Sequence, residues 1–111
     1  MPPPALPSNR RIDHSKVEDY LLHPVKGHGK AQFFQRCGFS RDLWQALRAA
    51  LFEQAVAGQI INCAVSPFGE RYGVRGGLPT PDGRHPPPMI CTFWQAESGD
   101  DGVRLITAYP D

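Results

Sequence analysis

Long apolar runs and any marked imbalance of charge are both missing from this 111-residue chain. No stretch approaches the ~20 apolar residues of a membrane-spanning helix, so a membrane partner is not expected. Twelve Lys and Arg against eleven Asp and Glu leave a net charge of +1, which by itself points to neither nucleic acid nor an acidic substrate. Cysteine is scarce. Cys37, Cys63 and Cys91 are an odd, widely spaced set, each in an apolar segment, and they read as buried free thiols of a cytoplasmic protein rather than disulfides or metal ligands. The first residues lack the charged start and apolar core of a secretory signal. There is no Gly-x-Ser-x-Gly elbow, P-loop or dinucleotide fingerprint. His14, His23 and His28 have no matching Cys pair and no His-x-x-x-His spacing on a helix. No metal and no cofactor is therefore expected.

Proline, by contrast, is abundant: five of the twelve lie in the first 24 residues, with four in the first seven. Residues 1–11 read as a flexible Pro-rich arm ending in Arg10-Arg11, and 12–111 as a single domain. Charge is uneven along the chain. Residues 1–50 carry eight Lys and Arg against four acids, and residues 51–111 carry four against seven. The basic half could meet phosphate, although such asymmetry is commonly plain solvated surface.

Helix signals fill the first half. Ser15-Lys16-Val17-Glu18 fits a capping box, and the short helix it opens puts Val17 and Leu21 on one side. Pro24 bars helix at His23. A loop with two His, two Lys and two Gly then runs into a second helix, Ala31–Cys37, stopped by Gly38 as a left-handed cap. Ser40 is a good N-cap for a third helix from about Arg41 to Ala57, with Leu43, Leu47, Leu51 and Ala55 as its stripe.

From Gln59 the period changes to two. Ile60–Val65, the stretch from Phe68 up to the turn at Pro81-Asp82-Gly83, Met89–Trp94 and Val103–Tyr109 read as four strands whose short connections imply an antiparallel meander. The expected fold class is α+β, with the N-terminal helices packed on one face of a four-stranded antiparallel sheet. Along the second strand Tyr72, Val74 and Leu78 face one way and Arg71 and Arg75 the other. Along the third, Met89, Cys91 and Phe93 oppose Ile90, Thr92 and Trp94. On the fourth, Arg104 and Thr107 have opposite parity, so both can serve one site only across a bulge.

Several residue types here suit phosphate chemistry. Lys30 enters at a helix N-terminus, where free N–H groups favour an anion, and His28 is flanked by Gly on both sides. Arg71 and Arg75 can grip phosphate bidentately, although basic residues on a strand also simply discourage aggregation. Trp94 and Tyr109 can stack a base or pack in a core with their polar tips bonded.

These pieces, His23–Phe34, Gly38–Ser40, Phe68–Arg84, Thr92–Trp94 and Arg104–Pro110, together resemble a family of small bacterial toxin-like proteins of unassigned function. Members of that family look like toxin domains that stand beside a small partner gene or end larger polymorphic toxins. Their helix-then-meander order is similar to the barnase–EndoU–colicin–RelE superfamily of metal-independent ribonucleases. The resemblance implies a small cytoplasmic ribonuclease toxin that acts on RNA without a metal and is held in check by a neutralising protein. On that reading His28 is base or acid, and Lys30, Arg71 and Arg75 steady the phosphate. Thr92, Thr107 and Tyr109 position it or donate protons, and Trp94 stacks a base. The alternative is a non-catalytic module of a two-protein complex that uses Trp94, Tyr109 and Arg71 as an interface.

Overall fold

Each apolar period of the sequence finds a partner in the structure, a computed structural model in which residues 5–26, 29–67, 69–97 and 102–111 are described. The chain opens with β1 (Arg10–Arg11) and α1 (His14–Lys16), which runs on as a π-helical turn, Val17–Leu21. Then come α2 (Lys30–Arg36), a 3-10 turn Arg41–Leu43 and α3 (Trp44–Ala57). The rest is β2 (Gln59–Ser66), β3 (Gly69–Gly77), β4 (Met89–Ala96) and β5 (Val103–Pro110).

The fold is α+β, three helices against a five-stranded mixed sheet of order β1-β5-β4-β3-β2. β2 to β5 form the expected antiparallel meander. The fifth strand lies where an arm was expected. Arg10 and Arg11 pair in parallel with Val103 and Arg104, and Leu6 and Ile12 on either side of them are buried in the core. An Arg-Arg pair carries no strand pattern of its own, and β1 exists because β5 offers it an edge.

Local stop signals hold better than local start signals. Gly38 takes the left-handed conformation, at φ +100°, and ends α2 as expected. The Ser15–Glu18 capping box does not form: Glu18 Oε2 instead meets His14 Nε2 at 2.7 Å. Ser40 precedes the 3-10 turn in extended conformation but makes no side-chain cap. On α3, Leu47, Leu51 and Ala55 are buried as the stripe requires, whereas Leu43, on the 3-10 turn, is exposed.

Strand parity then decides which residues the helices cover. Tyr72, Trp94 and Leu105 share one row across β3, β4 and β5, and Val74, Thr92 and Ala108 share the next. All six are buried, which makes this the inner face, packed against α3. The alternate rows form the outer face. One carries Arg71, Gln95 and Arg104, the second Gly73, Phe93 and Thr107, the third Arg75, Cys91 and Tyr109.

Two expectations are corrected by this parity. Thr92 and Trp94 are fully buried beneath α3, so Trp94 cannot stack an incoming base and Thr92 cannot touch a phosphate. Their polar atoms are satisfied internally: Trp94 Nε1 donates to Thr92 Oγ1 at 2.9 Å, and Thr92 Oγ1 donates to Gln54 Oε1 at 2.8 Å. Gln54, itself fully buried, donates through Nε2 to the Val74 and Ile90 carbonyls, each at 3.2 Å. Cys63 departs from the expected trio of buried thiols, since it is exposed on β2 while Cys37 and Cys91 are buried.

Candidate functional site

The outer face collects the chemistry. A bulge on β5 settles the parity conflict of the last strand: Phe93 pairs with Thr107 and Trp94 with Leu105, leaving Ile106 as the extra residue. Arg104 and Thr107 therefore face the same side.

Glycine shapes the centre of that face. A Cβ on Gly73 would come within 2.9 Å of Phe93 Cε1, so the bare Gly73 backbone lets the Phe93 ring lie over β3. Tyr109 stacks on Phe93 from β5, with ring centroids 5.4 Å apart and planes 22° from parallel. The register puts Arg71 and Arg104 in the row next to Phe93, and Arg75 in the row of Tyr109, two strands away on β3. Arg71 Nε donates to Gln95 Oε1 at 3.3 Å, and Gln95 is anchored in turn through Nε2 to the Glu70 carbonyl at 3.2 Å. Arg75 is the more engaged of the two: its Nε lies 2.7 Å from Asp111 Oδ2, and this contact lowers the Asp111 pKa.

Beyond the two residues of β1 the edge of β5 borders the helices, and here lies a residue that the sequence reading did not single out. Tyr20, from the π-helical turn, approaches Thr107. Lys16 Nζ lies 4.7 Å and Lys30 Nζ 5.4 Å from its ring centroid. The Tyr20 pKa is lowered, first by the Thr107 hydroxyl and then by Lys30 and Lys16, against an opposing effect of burial. Thr107 Oγ1 is buried and completes no well-aligned hydrogen bond among the described residues, so its influence on Tyr20 is a close approach and not a finished bond. The only sequence signal for Tyr20 was its spacing, three residues after Val17, which keeps it on the flank of the buried Val17–Leu21 side, where it packs half-buried against the core.

Lys30 joins this corner to the aromatic pair. A hollow of about 300 Å³ is lined by Gly29, Lys30, Phe33, Arg36, Tyr109 and Pro110. Of the residues expected in a site, the structure thus gathers Lys30, Thr107 and Tyr109 at one corner and lays Arg71 and Arg75 farther across the same face. His28 lies outside the described residues. Among the described residues, no group of three or more His, Cys, Asp or Glu is arranged to hold a metal ion, and no helix is long and apolar enough to cross a membrane.

A family profile described as a domain of unknown function, DUF6883, matches residues 6–111. The chain belongs to that family. Comparison with curated proteins finds no match. Among solved structures, this DUF6883 chain is similar to one in a complex described as a contact-dependent growth inhibition toxin and immunity protein from Klebsiella pneumoniae 342. The TM-score is 0.70 at 14% identity, with 90% of this chain and 98% of the other covered. At that identity the likeness is one of fold.

Proposed function

We propose that this DUF6883 chain is a small toxin that cleaves RNA without a metal and is restrained by a neutralising protein. The observation that carries the reading is the outer face itself: a stacked Phe93–Tyr109 pair bordered by Arg71, Arg104 and Lys30. Aromatic faces beside guanidinium groups suit single-stranded nucleic acid, because every base can stack and every linkage carries a charge. The fold shared with a chain of a toxin–immunity complex supports the toxin and the restraining partner.

Cleavage of RNA at its own 2′-hydroxyl needs a base, an acid for the leaving oxygen and cations for the charge that builds on phosphorus. In this proposal Lys30 supplies the charge at the corner of the site, with Arg71 and Arg104 on the neighbouring phosphates. Tyr20, its phenol already biased towards ionisation, exchanges protons with the reacting oxygens beside Thr107. His28, two residues before Lys30, is the second proton-transfer group. Phe93 takes the stacking role first expected of Trp94, and Tyr109 keeps its place next to it.

The test is cleavage of a labelled RNA by purified protein in excess EDTA, with an RNA carrying 2′-deoxy positions as control. The expected result is cleavage of the RNA only, lost in Lys30→Met, reduced at least tenfold in Tyr20→Phe and Arg71→Ala, and accompanied by growth arrest on expression. Intact RNA and unimpaired growth would overturn the nuclease reading and leave a non-catalytic binding module as the alternative.

A further inference from the structure

The two edges of the sheet are finished in opposite ways. At one edge β1 is two residues long and both are Arg, a short and charged end of the kind that discourages strand addition. At the other, β2 offers eight residues, Gln59–Ser66, with no charge and no proline among them. Gln59 and Ile61 to Val65 are all exposed, Ile61 at 52% and Val65 at 83%. An open strand edge presents alternating N–H and C=O groups that only another extended backbone can match.

We propose that the occupant is β2 of a second copy, added antiparallel about a two-fold axis at Cys63. The faces of β2 are compatible with this register. Ile60, Cys63 and Val65 pair with inner-face Val74, Tyr72 and Glu70, whereas Asn62 and Ala64 pair with outer-face Gly73 and Arg71. Ile61 is left over as a bulge. Centring the pair on Cys63 sets Asn62 against Ala64 of the second copy. It also sets Ile60 against Val65 of the second copy, with each bulge taken up at Ile61. Every pair then joins residues of the same face, as antiparallel strands require.

Shape adds a second observation. A hollow of about 550 Å³ lies beside Gln59 and Ile60, walled also by Leu6, Arg10, Ala55, Val56 and Val74. Val65, at the opposite end of the same strand, is the exposed apolar side chain that this pairing delivers to the hollow of the other copy, twice over. With no charge on either strand, self-pairing meets no repulsion. The result is one continuous sheet whose two outer faces look the same way, with the Arg71 side chains nearest the axis. The pairing does not depend on any catalytic activity.

Sedimentation velocity of the purified chain should show a two-chain species at high micromolar concentration. A short bis-maleimide should link Cys63 to Cys63, and Cys63→Ser should abolish the product. Val65→Lys, at a position too exposed to threaten folding, should raise the dimer dissociation constant roughly tenfold or more, while Val65→Thr keeps the dimer. Circular dichroism confirms that each variant is folded. If the parent chain arrests its host, Lys30→Met, which lies away from β2, serves in its place. A single-chain species at every concentration overturns the proposal, as does a dimer indifferent to Val65→Lys or a crosslink that survives Cys63→Ser.

Discussion

Three tyrosines meet quite different surroundings here, and two of them are displaced in opposite directions. Tyr72 donates to Glu70 Oε2, and that bond, with burial, pushes its pKa up to about 12. In the unfolded chain the same phenol titrates near pH ~10, so the stability tied to Tyr72 is present below that pH and is lost as the pH climbs towards the folded value. Tyr20 behaves in the opposite sense. Its folded pKa is lowered, so its contribution is present above the unfolded value and falls away as the pH drops through the folded one. An ultraviolet absorbance titration should accordingly resolve an early and a late phenol. Tyr20→Phe removes the early phase, and Glu70→Gln brings the late phase down. A single unresolved transition would count against both assignments. Neither perturbation was visible in sequence, since the partners come from residues 87 apart for Tyr20 and Thr107, or from a strand geometry that points Glu70 and Tyr72 the same way.

Among the elements, α3 shows most clearly how one polar residue selects the inner face of a sheet. Its stripe of Leu47, Leu51 and Ala55 marks the buried side, and Gln54 lies on that side too. The side chain bridges two β carbonyls and accepts from Thr92, which in turn accepts from Trp94. Replacing Gln54 by Leu would keep the volume but leave several buried polar atoms without partners. The expected cost is about 2–4 kcal/mol, read as a lower midpoint in urea unfolding. Thr92→Val should cost about 1–3 kcal/mol, because it leaves the Trp94 indole and the Gln54 carbonyl unpaired. Before folding, β4 presented two alternating rows of comparable apolarity, Met89-Cys91-Phe93 and Ile90-Thr92-Trp94. Periodicity revealed that there were two faces, and Gln54 is what distinguishes them.

For the molecule as a whole, the outer face predicts how nucleic acid would be held. Phe93→Ala should weaken binding of single-stranded RNA by about 1–3 kcal/mol, measured by fluorescence anisotropy, with no loss of fold because the ring is only partly buried. Arg71→Ala and Arg104→Ala should each flatten the dependence of log affinity on log salt, by close to one released counterion per phosphate contact, a slope change of ~0.7 for a single strand. Binding insensitive to salt would exclude the face as a phosphate track.

Composition and periodicity by themselves determined the helical first half, the four long strands, their antiparallel order and the opposition of Arg71 and Arg75 to Tyr72 and Val74. These are local properties, set by side-chain spacing and by stop signals such as Pro24 and Gly38. The tertiary structure alone decided that Arg10-Arg11 becomes a strand, that Thr92 and Trp94 turn inward, and that Ile106 bulges so Arg104 and Thr107 share a face. It also brought Tyr20 beside Lys30 and Thr107. Each of these depends on what lies across a gap of tens of residues: an open edge on β5, a buried amide on α3, a register between β4 and β5. A chain read in order shows which residues alternate, but only packing shows which of the alternatives is covered.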